Sequence, residues 1–173
     1  MKVVLYIAAS IDGYIAAPGD DLSFLSMVEM PGEDYGYAEF MRTIDKVIMG
    51  RKTYDWVVEN APNYSHSDQE TYILTRTSKA SIGNTHFYNG DLQELVQTLK
   101  AKGGKNIFCD GGAETANALL RLGLIDEIVL SIIPIILGAG TKLFHEGIPE
   151  RKLHLLESKS YHSGLIQMHY RIG

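Results

Sequence analysis

The sequence predicts an α/β fold, in which helices flank a mostly parallel central sheet and the chain ends in an antiparallel hairpin. Three observations support this prediction. Short, nearly continuous apolar runs, typical of strands covered on both faces, alternate with amphipathic helical patterns up to residue 125. From residue 126 onward only strand patterns follow. The last two are separated by a short polar turn containing Gly164, which is typical of an antiparallel pair.

The strands are predicted from apolar runs rich in β-branched residues. Four such runs lie in the alternating part of the chain, at 3–10, 45–50, 70–75 and 105–109. The C-terminal strand patterns cover 127–137, 152–161 and 164–172.

Helices are predicted between these strands. The helix over 91–104 has Asp91 as its N-cap and glycines at its end, and the helix over 113–124 has Gly123 at its C-cap position. A shorter helix is predicted over 34–44, and a further one begins after the strand at 45–50.

Length and composition limit the possible functions. The 173 residues fit a single domain spanning 1–173, with the 45% hydrophobic and 21% charged residues of an ordinary soluble protein. A net charge of −5 without a basic cluster argues against nucleic-acid partners. The single cysteine excludes an internal disulfide and a cysteine-based zinc site. We expect no metal site and no membrane partner. The apolar N-terminus fits a strand better than a signal peptide, so the expected location is cytoplasmic.

Two predicted strands run through glycine directly into a helix. A helix N-terminus is suited to bind an anion because its first N–H groups are unpaired, and glycine lets a phosphate approach the backbone closely. Basic residues in a first helical turn oppose the helix dipole unless an anion is present. The residues concerned are Gly50, Arg51, Lys52 and Thr53 in the first junction, and Gly111, Gly112, Ala113 and Glu114 in the second.

A third strand end supplies another basic residue, because Arg76 follows Thr75 at the end of the strand at 70–75. Together these features describe a cradle for a phosphorylated dinucleotide at one edge of the sheet. Structural alternatives remain open: a tight turn for the glycine pair, an exposed helix start for "GRKT" and a solvated surface charge for Arg76. The G-x-G-x-x-G and P-loop signatures are absent from the sequence.

Five stretches in order along the chain resemble a known family. They are "SIDGYIA" after the first strand, "VIMGRKTYD", "ILTR", "GGAETANALLRLGLIDEI" and "PIILGAGTKLF". They resemble the reductase domain of bacterial riboflavin biosynthesis, which shares the dihydrofolate reductase fold, and the resemblance covers essentially the whole chain.

The resemblance implies binding of NADPH by the residues of both glycine junctions, with Thr75 and Arg76 facing the adenosine 2′-phosphate. It also implies that Ala8 and Ile15 flank the nicotinamide. The expected fold is then dihydrofolate reductase-like. Glu114 is the exception among the implied cofactor residues, since a carboxylate near the phosphates would repel them.

Three acids are candidates for contact with the substrate or for proton donation. Asp12 lies in the loop that the family places beside the nicotinamide, and Asp110 stands where riboflavin reductases typically carry Glu. Asp34 precedes Gly50 along the chain. In dihydrofolate reductases the carboxylate that contacts the pterin stands at the same spacing before the corresponding glycine. Each has a structural alternative: turn residue for Asp12, solvated strand end for Asp110 and helix N-cap for Asp34.

The substrate is less well defined than the cofactor. The chain lacks the Pro-Trp pair typical of dihydrofolate reductases, which favours a non-folate substrate, and it lacks the zinc deaminase motif that usually accompanies riboflavin reductases. Three hypotheses follow. The first is a reductase that resembles 5-amino-6-(5-phosphoribosylamino)uracil reductase and acts on a small heterocyclic or ribosylamino substrate. The second is a dihydrofolate reductase, and the third is a non-catalytic dimeric nucleotide-binding protein. A homodimer is expected, with residues 128–137 near its interface.

Overall fold

The computed structural model describes residues 1–61, 66 and 68–173. Its strands are β1 (Val3–Ser10), β2 (Tyr14–Ala16), β3 (Ile44–Gly50), β4 (Glu70–Leu74), β5 (Thr85–Tyr88), β6 (Asn106–Gly111), β7 (Glu127–Ile133), β8 (Thr141–Lys142), β9 (Leu153–Ser160) and β10 (Ile166–Ile172). Its α-helices are α1 (Tyr37–Arg42), α2 (Arg51–Asn60), α3 (Leu92–Lys102) and α4 (Ala113–Arg121), and a 3₁₀ helix covers Ser23–Val28.

Eight strands form one sheet in the order β5-β4-β3-β6-β1-β7-β10-β9, and β2 pairs with β8 separately. All neighbouring pairs from β5 to β7 are parallel. The last two pairs, β7 with β10 and β10 with β9, are antiparallel. The predicted fold class is therefore confirmed, including the antiparallel C-terminal hairpin.

Alternate residues of each central strand point to opposite sides of the sheet, and a core cluster covers each side. One core cluster joins α3 and α4 to the sheet and includes the fully buried Leu5, Ile107 and Leu119. The other face packs Phe108 and Val47 against aromatic side chains of α1. The apolar runs in the sequence reflect this double coverage.

The helix caps follow the predicted chemistry. The Asp91 side chain accepts a hydrogen bond from the Glu94 amide at 2.8 Å, which caps α3. Asp34 accepts hydrogen bonds from the amides of Gly36 and Ala38 at 2.9 and 3.0 Å and so stabilises the start of α1, whose N-cap residue is Gly36. The helix predicted over 34–44 is thus shorter than expected, since α1 begins at Tyr37.

The strand predicted over 127–137 ends at Ile133. Pro134 has no N–H group to continue the ladder, and the Ile135 amide instead bonds the Ile133 carbonyl at 2.7 Å. Most of β7 is buried between β1 and β10, so burial within the chain explains its length without a partner. The length of this apolar stretch therefore no longer argues for an interface at 128–137. The homodimer itself stays a prediction. All eight residues of the edge strand β9, by contrast, are exposed.

Three short strands, β2, β5 and β8, were not predicted. They contain three, four and two residues, too few to show a periodic pattern. Within the described residues, the helices are all too short or too polar to cross a membrane.

Asp12 fastens the turn after β1 to the segment after β7. Its carboxylate accepts hydrogen bonds from the Ser10 hydroxyl at 2.6 Å and from the Leu137 and Gly138 amides at 3.1 and 2.7 Å. These bonds, led by that from Ser10, lower the pKa of Asp12 to about 2. The two loops that border the carboxyl edge of the central strands are thereby held together.

Asn117 fastens α4 to the segment after β8. Its side-chain amide donates to the carbonyls of Ala113 and Leu143 at 2.7 and 2.8 Å, and its oxygen accepts from the His145 amide at 2.8 Å. Asn117 is fully buried, so every polar atom of its side chain has to be satisfied by the protein.

We expect Asp12→Asn to lower the melting temperature at neutral pH, because an amide cannot replace both carboxylate oxygens. The folded-state pKa is lowered, so this stabilisation is present above the unfolded pKa of about 4 and is lost as pH falls toward 2. Melting curves of both proteins between pH 7 and pH ~2 measure the difference. A difference that stays constant over this range would contradict the role given to the carboxylate.

We expect Asn117→Ala to lower the free energy of unfolding by about 2–4 kcal/mol, because it leaves the Leu143 carbonyl and the His145 amide without partners. Urea unfolding measures this change. The exposed Gln97 on α3 provides a control, and Gln97→Ala is expected to change stability by less than about 0.5 kcal/mol. Equal effects of the two substitutions would show that Asn117 does not hold α4 to the following segment.

Candidate active site

The predicted site residues lie at one edge of the sheet. Strands β4, β3, β6 and β1 are consecutive neighbours and run parallel, so the segments that follow them emerge side by side. Ligands of open parallel sheets bind at this carboxyl edge. The structure therefore brings together strand ends that are far apart in the sequence.

The two glycine junctions are in direct contact. A Cβ atom on Gly50 would lie 2.8 Å from the Thr115 hydroxyl oxygen, and one on Gly112 would lie 3.1 Å from the Thr53 hydroxyl oxygen. The Gly112 amide donates to that Thr53 oxygen at 2.7 Å. Gly111 has φ +88°, which favours glycine, and its peptide bond to Gly112 is cis. The close packing of the two junctions and the positive φ of Gly111 thus require glycine at these positions. The interpretation of the glycine pair as a tight turn is therefore correct in part.

The same junctions leave two helix N-termini open. Gly50 and Gly112 are the N-cap residues of α2 and α4, and neither helix has a side-chain cap. The first N–H groups of each helix lack intrahelical partners. An anion placed between the two junctions would meet both sets of donors.

The charged residues of the two first turns differ in their surroundings. The Arg51 side chain is bound to Asp55, with Nε–O distances of 2.7 and 2.8 Å, and lies 5.7 Å from the centre of the Phe87 ring. Lys52 is exposed. The Glu114 side chain is 90% exposed, with its carboxylate 3.9 Å from His145 Nδ1, so it extends into solvent.

Thr75 and Arg76 occupy the end of β4 as predicted. The Thr75 amide donates to the Tyr88 carbonyl at 2.9 Å, and its hydroxyl accepts from the Thr77 amide at 3.2 Å. Arg76 is exposed and forms no ion pair within the described ranges. Its guanidinium group is available to an anionic ligand.

A cavity of about 720 Å³ lies next to this edge. Its volume is that of a site for a small ligand. Ala8 and Asp34 are the predicted site residues that line it. Ile15 packs instead against the core cluster that contains Leu5 and Ala9. The full lining is Tyr6, Ala8, Leu25, Val28, Glu29, Met30, Pro31, Glu33, Asp34, Tyr35, Ser131, Ile133 and Leu165.

Hydrogen-bonded side chains connect the walls of this cavity. The Gln167 amide nitrogen donates to the Tyr6 hydroxyl at 3.0 Å, the Ser131 hydroxyl at 3.1 Å and the Tyr35 carbonyl at 3.1 Å. The Tyr6 hydroxyl donates to the same carbonyl at 2.8 Å, and burial raises its pKa. Gln167 was not predicted, because a lone Gln on a C-terminal strand carries no recognisable motif.

The three candidate acids have different environments. The amides of Ala38 and Gly36 lower the pKa of Asp34, and Asp12 is held ionised by the bonds described above. Burial raises the pKa of Asp110, although His66 opposes the shift. Of these three acids, Asp110 is thus the one whose environment favours the protonated form.

Asp110 is paired with His66. Its Oδ2 lies 2.8 Å from His66 Nε2, and the two side chains are 14% and 7% exposed. The His66 ring also lies edge-on to Phe108, with ring centres 5.9 Å apart. Phe108 and Asp110 are two residues apart on β6 and so face the side of the sheet that carries Tyr6.

Sequence reasoning missed His66 entirely. It stands 44 residues before Asp110 in a polar stretch without periodicity, and only the fold brings the pair together. Within the described residues, no group of three or more His, Cys, Asp or Glu side chains is arranged to hold a metal ion.

Comparison with known proteins agrees with this architecture. The profile of the RibD C-terminal domain matches residues 1–167. The uncharacterized protein YwjB of Bacillus subtilis is 39% identical over 171 residues, covering 98% of this chain and 97% of that protein.

Two solved structures show the same fold. A putative riboflavin biosynthesis protein from Shewanella sp. PV-4 superposes with a TM-score of 0.91 at 30% identity, covering 100% of this chain and 99% of that one. The diaminohydroxyphosphoribosylaminopyrimidine deaminase/5-amino-6-(5-phosphoribosylamino)uracil reductase of Thermotoga maritima gives a TM-score of 0.74 at 13% identity, covering 99% of this chain and 56% of that one. The family profile and the relative at 39% identity show that the chain belongs to the RibD C-terminal domain family.

Proposed function

We propose that the protein is an NADPH-dependent reductase that transfers hydride to a small heterocyclic or ribosylamino substrate, in the manner of 5-amino-6-(5-phosphoribosylamino)uracil reductase. The observation that carries this proposal is the contact between the two glycine junctions, which brings the uncapped N-termini of α2 and α4 together. Membership of the RibD C-terminal domain family supports it. The cofactor supplies the hydride, and the protein supplies its orientation and a proton.

The cofactor phosphates are proposed to bind at the N-termini of α2 and α4. The residues of both junctions would hold the pyrophosphate through their amides, with Lys52 beside it. Arg76, exposed at the end of β4, would meet the adenosine 2′-phosphate, because a guanidinium binds phosphate oxygens in a bidentate way. Ala8 would lie against the nicotinamide, since it lines the cavity on β1.

Asp110 is the proposed source of the proton. A general acid has to hold its proton near neutral pH, and burial favours the protonated form of this carboxyl. His66 would orient the carboxyl group through the 2.8 Å contact. Asp12 and Asp34 fit this role poorly. The Ser10 hydroxyl and two backbone amides stabilise the ionised form of Asp12, and backbone amides stabilise that of Asp34.

A dihydrofolate reductase is the second candidate, since Asp34 lines the cavity. Both of its carboxylate oxygens already accept amide hydrogen bonds at the start of α1, which leaves less capacity for a pterin. A non-catalytic nucleotide-binding protein is the third, and steady NADPH oxidation with any pyrimidine or pterin would exclude it.

For the cofactor, we expect Arg76→Ala to weaken NADPH binding at least about tenfold and to leave NADH binding unchanged, because a charge-assisted hydrogen bond contributes about 1.5–3 kcal/mol. Titration followed by nicotinamide fluorescence measures both affinities. Arg151→Ala is the matched control, since Arg151 lies beside Gly123 at the opposite end of α4. An equal loss for both nucleotides would refute the 2′-phosphate assignment, and no NADPH binding by the unmodified protein would refute the reductase.

For the proton, we expect Asp110→Asn to lower kcat about 100-fold or more while the Kd for NADPH stays unchanged, because general acid catalysis contributes about 10²–10⁴-fold. Steady-state NADPH oxidation and cofactor titration separate the two effects. Asp34→Asn is the comparison: turnover of dihydrofolate that collapses in this variant, with Asp110→Asn active, would favour the dihydrofolate reductase instead.

A further inference from the structure

We propose that the cavity takes a ring compound that is neutral or positively charged and carries no phosphate group. This inference rests on the proposed function in one respect, namely that the compound bound in the cavity is the substrate. It concerns the charge of the ligand, which the lining side chains determine.

The charged groups that line the cavity are all acidic. Glu29, Glu33 and Asp34 contribute three carboxylates, and within the described lining there is no Lys, Arg or His. Residues 62–65 and 67 contain no basic residue in the sequence either. A substrate phosphate in this cavity would meet like charge without a compensating cation.

Arg42, Lys159 and His66 lie outside the cavity lining and do not provide a phosphate site within it. Arg42 lowers the pKa of Asp34 through its charge but does not line the cavity. Lys159 Nζ is paired with Glu157 at 3.2 Å, and His66 with Asp110 at 2.8 Å.

One histidine lies in an adjoining space. A recess of about 290 Å³ shares Met30 and Glu33 with the cavity and is also lined by His162. Glu33 stands between the two spaces, so an anion that reached His162 would still pass a carboxylate.

The remaining lining suits a planar ring. Leu25, Val28, Ile133 and Leu165 provide apolar walls, as is usual for small-molecule sites. The Tyr6 and Ser131 hydroxyls supply polar contacts at defined positions. Aromatic faces next to carboxylates also attract a protonated ring.

The wall that carries the carboxylates is held in place by Tyr35. Its hydroxyl donates to the Val28 carbonyl, and the same oxygen lies 2.9 Å from the Ser163 hydroxyl oxygen. Its amide donates to a Glu33 carboxylate oxygen at 2.8 Å. Tyr35 thus holds the loop that carries Glu33 and Asp34 against Val28 and Ser163.

Matched ligands test the proposal directly. NADPH-saturated protein is titrated by calorimetry at pH ~8 with a ribosylaminopyrimidine and with its 5′-phosphate, together with a pterin that carries no phosphate. We expect at least about tenfold tighter binding of the unphosphorylated pyrimidine or the pterin than of the phosphate. Equal or tighter binding of the phosphorylated compound overturns the proposal, and so does failure of all three to bind.

A double variant tests the physical cause. Glu29→Gln/Glu33→Gln removes two charges, and glutamine keeps an oxygen that accepts the Tyr35 amide. We expect the preference against phosphate to shrink at least about threefold, because like-charge repulsion is lost. Glu59→Gln/Glu94→Gln, on exposed positions of α2 and α3, is the charge-matched control and is expected to leave the preference unchanged. A preference that the first pair leaves intact overturns the electrostatic explanation.

The two proposals fail in different ways. If an unphosphorylated ring binds and NADPH is never oxidised, the reductase is wrong and the ligand class stands. If NADPH is oxidised only with the phosphorylated pyrimidine, the reductase stands and the ligand class is wrong.

Discussion

The contact between the two strand-to-helix junctions is the constraint on which the site depends. Strands β3 and β6 are neighbours, so the helices that follow them begin side by side, with glycine where any Cβ atom would press on a threonine hydroxyl. Two positive helix ends in contact repel each other, and an anion between them offsets that repulsion. The packing of the fold and the proposed binding of a cofactor phosphate thus have the same cause.

The charge of the site is divided between its two parts. Arg76 and the helix N-termini make the outer edge attractive to phosphate, whereas Glu29, Glu33 and Asp34 make the cavity acidic. A cofactor with several phosphates and a substrate with none would each meet complementary charge.

Three aspartates with the same chemistry have different properties because their surroundings differ. Asp12 and Asp34 accept backbone amides and are held ionised, and each also fastens a segment that borders the site. Burial raises the pKa of Asp110 and so favours its neutral form, although the neighbouring His66 acts in the opposite direction. The N-cap position predicted for Asp34 is occupied by Gly36, and Asp34 supports the helix start from two residues earlier. The solvated strand end proposed as the alternative for Asp110 was wrong.

The sequence by itself determined the α/β class, the order of the longer strands and helices, the cap at Asp91 and the glycine junctions, because these depend on patterns within a few residues. Only the tertiary structure decided that Gly50 and Gly112 meet Thr115 and Thr53, and that His66 reaches Asp110. It also decided which side chains line the cavity, and it placed Ile15 outside the lining. Burial and pairing join residues that are distant along the chain, so no local pattern contains them.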